Sequence, residues 1–236
     1  MIRFYAPDIE TTLTLPEIDS GHCCRVLRKK VGDKIEVVDG RGCAYVCSIT
    51  NAHPKGTEVE IIEKRIEKPH WEGKITIAVA PTKNIDRMEW MLEKATEIGV
   101  DEIVFLKCDH SERKEIKAER LEKILISAMK QSMKAKLPIF EGMKPFKDFI
   151  VEDRKGNKFM GYCSDQFERK EFVKEYAQDK DVTILIGPEG DFSEEEVSRA
   201  IEAGFIPVTF GETRLRTETA ALYALVSAHA KKTLMK

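Results

Sequence analysis

The order of apolar and polar positions divides the chain into two parts with different periodicities. Up to about residue 68 the chain looks β-rich, and Thr57–Arg65 alternates polar and apolar residues as a half-buried strand does. Lys34–Gly40 (KIEVVDG) predicts a strand ending in an Asp-Gly turn. Cys43–Thr50 (CAYVCSIT) predicts the returning strand, and Thr57–Arg65 (TEVEIIEKR) a third. A short helix is expected around Ser20–Arg28. Strands at this spacing, joined by turns, suggest a small barrel. Glu67–Gly73 contains a proline and a glycine without periodicity and reads as a linker.

From Lys74 the pattern changes. Lys74–Ala80 (KITIAVA) is the run of a strand buried on both faces. Met88, Met91, Leu92, Ala95 and Ile98 recur at helical spacing and predict a helix over Arg87–Ile98, stopped by Gly99. Further strands are expected at Asp101–Lys107, Lys158–Cys163, Val182–Gly187 and Pro207–Gly211, with a helix over Arg120–Met133. Strands alternating with helices imply an α/β fold with a parallel sheet covered by helices. The expected division is therefore a β-rich domain over residues 1–70 and an α/β domain over 74–236.

Composition narrows the function classes. With 42% apolar and 34% charged residues the chain has the balance of a soluble globular protein. No apolar run approaches the roughly 18 residues of a membrane span. The N-terminal MIRFYAPDIE lacks the basic and apolar regions of a signal peptide, so a cytoplasmic location is expected. The six cysteines form no pair at zinc or redox spacing, which predicts free thiols and no metal. A net charge of −2 excludes a globally basic nucleic-acid binder. Local clusters remain, notably Arg25, Arg28, Lys29 and Lys30, and the basic run from Lys107 to Lys136.

Two segments carry candidate chemistry. In Ile184–Val197 (ILIGPEGDFSEEEV) a buried strand runs into Gly187-Pro188-Glu189-Gly190, after which Ser193 and Glu196 form a capping box that should start a helix. Loops beyond the carboxyl ends of parallel strands are where open α/β sheets bind ligands. Neither a Walker loop nor a GxGxxG fingerprint is present. In Phe210–Ala230 (FGETRLRTETAALYALVSAHA) a strand ends at Gly211. Arg214 and Arg216 lie in the loop, and Thr217 is a plausible N-cap for an alanine-rich helix that should pack tightly.

Together, GPEG followed by FSxxE, and then a glycine ahead of LRTETAA, resemble the bacterial 16S ribosomal RNA (uracil-N3) methyltransferase family, RsmE, of the SPOUT superfamily. The resemblance extends to His22–Gly42 (HCCRVLRKKVGDKIEVVDGRG), Lys83–Leu106 (KNIDRMEWMLEKATEIGVDEIVFL) and Ala128–Pro138 (AMKQSMKAKLP), in family order. There are two departures. Asp191 stands where the family commonly has a glycine, a change tolerable at positive φ. Lys134 stands where arginine is frequent and lacks its bidentate reach.

The resemblance implies a SPOUT-type α/β knot, with a C-terminal trefoil knot, preceded by a PUA-like β-barrel that binds RNA. It implies S-adenosylmethionine as methyl donor, held by three loops: Tyr162, Cys163 and their neighbour Ser164; Ile186, Gly187, Pro188, Glu189 and Gly190; and Phe210, Gly211, Leu215, Arg216 and Thr217. It implies a homodimer, with the helices after Ser193 and from Thr217 as candidate interfaces. The substrate would be 16S rRNA of the small ribosomal subunit, methylated at N3 of a uridine. Arg216 is the candidate to stabilise negative charge on the uracil. Glu189 and Glu218 are candidate bases by position only. Arg25, Arg28, Lys29 and Lys30 would contact phosphates, with Lys83 and Arg87 adding to the surface near the site. The alternatives are a SPOUT enzyme acting on another RNA and a non-catalytic RNA-binding assembly factor.

Overall fold

The computed structural model describes residues 2–176 and 181–234. The chain forms two compact units. One comprises residues 1–70 with 125–137, and the other residues 71–124 with 138–236.

The first unit contains β1 (Arg3–Tyr5), α1 (Ile9–Thr12), α2 (Glu17–Gly21) with a π-helical turn (His22–Val26), β2 (Lys34–Val38), β3 (Cys43–Asn51) and β4 (Glu58–Ile66). The three strands read from the sequence are present and antiparallel, and β1 adds in parallel beside β2. Residues 13–15 extend the sheet past β4, through Leu15 N–H to Thr57 O and Val59 N–H to Leu13 O. Phe4, Ile35, Val37, Tyr45, Cys47, Ile49 and Val59 form its core.

Residues 125–137 group with this unit, whereas the sequence pattern assigned them to the α/β domain. Several bonds account for the difference. Arg3, 8% exposed, donates to Met133 O at 2.7 Å. Lys130 pairs with Asp19 at 2.9 Å, and Gly42 N–H donates to Ala135 O. Met129 and Ala135 share a small core with Val38 and Ala44. None of these contacts leaves a periodic signal in the sequence.

The second unit contains β5 (Ile75–Val79), α3 (Ile85–Ile98), β6 (Glu102–Lys107), α4 (Ala118–Gln131, shared with the first unit by contact), β7 (Ile139–Pro145), α5 (Phe146–Phe149), β8 (Asn157–Gly161), β9 (Lys170–Glu171), α6 (Phe172–Glu175), β10 (Val182–Ile186), α7 (Glu194–Glu202), β11 (Ile206–Thr209) and α8 (Thr217–Leu234). The strands form one parallel sheet in the order β7-β6-β5-β10-β8-β11-β9. The α/β expectation therefore holds. Trp71, within the expected linker, is anchored on this unit: its Nε1 donates to Asp101 Oδ2 at 2.9 Å, and its ring meets His229 edge-on.

The strand order puts the chain through itself. On β8, Met160 packs with Phe149 of α5 and with Val197 and Ala200 of α7, while Phe159 packs edge-on against Phe172 of α6. Successive side chains point to opposite faces, so α7 and α6 lie on opposite sides of the sheet. α8 contacts α3 and α6. The chain thus enters β11 from the α7 side and leaves it towards the α6 side, between β8 and β9, two strands that precede it. This is the threading that the expected trefoil knot requires.

Candidate active site

Three loops leave the carboxyl ends of neighbouring strands β8, β10 and β11. They wall a cavity of about 690 Å³, within the size range of small-molecule sites. Glycine closes the strands tightly here: a Cβ on Gly161 would lie 2.6 Å from the Phe210 ring.

The first loop is held from two sides. Arg169 donates to Cys163 O at 2.9 Å and to Tyr162 O at 3.3 Å. Cys163 N–H donates to Asp191 Oδ2 at 2.9 Å. The Cys163 thiol is pushed up from its ordinary pKa by burial and by the Asp191 carboxylate, so it is a poor nucleophile.

The second loop turns at Asp191, whose φ of 62° is the left-handed conformation that glycine adopts freely. The Asp191 carboxylate offsets the strain by also accepting from Phe192 N–H at 2.9 Å. The departure from glycine therefore adds a clasp between two loops. The capping box is present as expected: Ser193 Oγ accepts from Glu196 N–H, and Glu196 Oε2 accepts from Ser193 N–H. Glu196 Oε1 also accepts from Asp109 N–H, tying in the turn after β6.

The third loop differs from expectation at Thr217. The first bond of α8 runs from Ala220 N–H to Arg216 O, so Arg216 occupies the cap position and Thr217 is already helical. The Thr217 hydroxyl instead donates to Gly187 O at 3.1 Å, stitching the third loop to the second. Arg214 reaches Glu189 O at 3.4 Å.

Of the residues that the resemblance placed around the cofactor, Tyr162, Cys163, Ser164, Ile186, Gly187, Pro188, Glu189, Phe210, Gly211, Leu215, Arg216 and Thr217 line this cavity. Gly190 does not: it turns away, and a Cβ on it would lie 3.2 Å from His110 Cβ. Arg87, expected on the surface near the site, also lines the cavity, because α3 begins at Ile85 and its first turn lies beside the start of α8. Glu189 is exposed and its Oε1 accepts from Lys83 N–H at 3.2 Å. Lys83 Nζ is paired with Glu112 at 3.0 Å. Arg169 and Asp191 were not read as site residues. Their signal is geometric, an arginine at the end of a loop and a non-glycine at positive φ.

In the first unit, Arg25, Arg28 and Lys30 are exposed and Lys29 half-buried. None of the four side chains is paired with a carboxylate among the described residues. Arg28 itself sits at φ 54°, at the end of the π-helical turn.

A second opening of about 620 Å³ adjoins the main cavity and is lined by Asp86, Arg87, Trp90, Arg214, Leu215, Arg216, Glu218 and Thr219. Five of these, Arg87, Arg214, Leu215, Arg216 and Glu218, line both spaces. The inner cavity offers apolar walls (Ile186, Val208, Phe210, Leu215), loop backbone and carboxylates. This set suits a ligand with a flat heterocycle and a positive charge. The outer one offers an exposed indole and three arginines, which suit a base and its phosphates.

Residues 69–229 match the model of the RNA methyltransferase domain, and residues 16–62 that of the RNA methyltransferase PUA domain. A ribosomal RNA small subunit methyltransferase E from Mesomycoplasma hyopneumoniae is 32% identical over 178 residues, 73% of this chain and 76% of that protein. The crystal structure of a probable rRNA-methyltransferase from Porphyromonas gingivalis superposes with a TM-score of 0.95 at 45% identity, over the whole of both chains. The ribosomal RNA small subunit methyltransferase E from Neisseria gonorrhoeae, solved bound to S-adenosyl methionine, superposes with a TM-score of 0.84 at 27% identity, over 99% of this chain and 98% of that one. With a PUA match, a parallel sheet and a three-loop cavity at its carboxyl edge, the chain belongs to the RNA methyltransferase family as a ribosomal RNA small subunit methyltransferase E, or RsmE, protein.

Proposed function

We propose that this protein methylates N3 of a uridine in 16S rRNA, with S-adenosylmethionine as methyl donor. The observation that carries the reading is the pair of adjoining spaces, one suited to the donor and one to a base, that share Arg87, Arg214, Leu215, Arg216 and Glu218. When bound, S-adenosylmethionine supplies a methyl group activated by its sulfonium charge. The residues that would hold it are Tyr162, Cys163 and Ser164, Ile186 to Glu189, and Phe210 to Thr217. Ile186, Val208, Phe210 and Leu215 exclude water from the inner space, and the loop backbones offer donors and acceptors to a heterocycle.

Uracil N3 is a weak nucleophile until its proton leaves, so the site has to align N3 with the methyl group and favour negative charge on the ring. Arg216 is exposed at the seam and supplies that charge. Arg25, Arg28, Lys29 and Lys30 would hold phosphates, positioning the RNA without reading its sequence. The protein acts as a cytoplasmic homodimer. Tyr223 and Val226, 44% and 49% exposed on α8, supply apolar surface for the interface, which sedimentation analysis tests.

The direct test incubates the protein with methyl-labelled S-adenosylmethionine and small ribosomal subunits that lack the modification, then identifies the labelled nucleoside. Label in 3-methyluridine, reduced about 10²–10³-fold by Arg216→Ala, supports the reading. Label in another nucleoside overturns the substrate. Absence of donor binding favours an RNA-binding assembly factor.

A further inference from the structure

Glu218, in the first turn of α8, is 6% exposed. Its Oε1 lies 3.9 Å from Arg87 Nε, the far limit of an ion pair. Its Oε2 is sealed from solvent and has no hydrogen-bond partner. Buried carboxylate oxygens normally collect donors. A carboxylate placed here only to stabilise the helix start would accept from a free N–H of the first turn, and Oε2 accepts from none.

The position of this oxygen is as unusual as its isolation. Glu189, Asp191 and Glu212 line only the inner cavity and Asp86 only the outer one, whereas Glu218 lines both. Resting on the reaction proposed above, we propose that Glu218 Oε2 accepts the proton of uracil N3–H. N3 attacks the methyl carbon and the N3–C bond forms. The C–S bond breaks with its electron pair left on sulfur. The N3 proton passes to the Glu218 carboxylate, which turns Oε2 from its buried position onto the base, and goes to water once the methylated base has left. Arg216, at the same seam, stabilises the charge on the ring while the proton leaves. Glu189 is displaced from this role by its exposure and by its bond to Lys83 N–H.

The full-length protein is compared with Glu218→Gln and Glu218→Asp on small subunits carrying uridine or 5-fluorouridine at the methylated position. Single-turnover rates are measured, and donor affinity is read by calorimetry. Glu218→Gln is expected to lose about 10²–10⁴-fold on uridine with unchanged donor affinity. It should regain most of that loss on 5-fluorouridine, whose N3–H is more acidic. Glu218→Asp, which keeps the carboxylate but draws it back, should fall between. An undiminished rate in Glu218→Gln, or an equal loss on both RNAs, overturns the proposal. So does a donor affinity that falls with the rate, or a Gln variant that fails to fold, since Oε2 makes no bond for the amide to break. A wild-type protein that forms no 3-methyluridine overturns the underlying reaction, and this assignment with it.

Discussion

The two ends of the parallel sheet treat a buried carboxylate in opposite ways. At the amino end, Glu102 of β6 is 2% exposed and fully engaged. It accepts from the Thr76 hydroxyl at 2.9 Å and from both Arg154 nitrogens at 2.9 and 3.2 Å, and pairs with Lys74. Burial alone would raise its pKa. The bonds from Arg154, Lys74 and Thr76 outweigh burial and bring it down to about 2. At the carboxyl end, Glu218 is nearly as buried and has one distant arginine and an oxygen with no donor. Charges that maintain a fold are satisfied within it, whereas charges that wait for a ligand are left unsatisfied. The same contrast separates Arg3, held by Glu36, Glu67 and Met133 O, from Arg216 at the open seam.

The contrast can be broken most forcefully at Glu102. Glu102→Ala leaves Arg154 with Glu152 as its one carboxylate partner among the described residues and should destabilise the protein by about 3 kcal/mol, lowering Tm by roughly 10 °C. Donor affinity per folded molecule should stay intact. Thermal melts and calorimetry together check this. If the site weakened as much as the fold, the two ends would not be independent.

Titration gives a second, gentler handle on the same residue. A carboxylate with a depressed pKa contributes stability that is fully present above its ordinary value of 4.5 and is lost as pH falls towards about 2. Denaturant midpoints should therefore decline from pH 5 downwards, and the Glu102→Gln variant should show a shallower decline over that interval.

Asp191→Gly tests the clasp between the first two loops. It removes the acceptor of Cys163 N–H while relieving the left-handed strain. Donor affinity should fall several-fold with little change in Tm. An unchanged affinity would mean that Arg169 alone fixes the first loop. The smallest effect is expected from Ser193→Ala, which removes half of the capping box and a bond to Asp109. About 1 kcal/mol, or a Tm drop of about 2–4 °C, should appear in a melt without altered methyl transfer.

The sequence pattern made the interior strands of both units legible, because β5, β6 and β10 are continuous apolar runs, β2 ends in an Asp-Gly turn and β4 alternates. It did not disclose β7. Ile139–Pro145 is an edge strand with no fully buried residue, a glycine at φ 74° and a terminal proline, so nothing in it reads as buried. β1 and β9 are too short to show a period. The cavity was legible through its glycines and LRTETAA, but the tasks inside it were not. Thr217 reads as a cap and serves as a stitch. Gly190 belongs to the right loop and points away. Arg87 has the charge of a surface residue and joins the wall because its helix begins two residues earlier than the periodicity indicated. These details depend on local geometry at element boundaries, which spacing alone does not encode.

The threading of β11 bears on how a new molecule becomes active. Two of the three loops that make the cavity lie beyond residue 186, and Glu218 and Arg216 beyond the threaded strand. A nascent chain that has released only the PUA module and the strands through β10 has the exposed Arg25, Arg28 and Lys30 but no place for the donor. Because the second and third loops come last in the chain, the donor cavity is completed only at the end of synthesis, when the segment after β10 is in place and Thr217 closes onto Gly187.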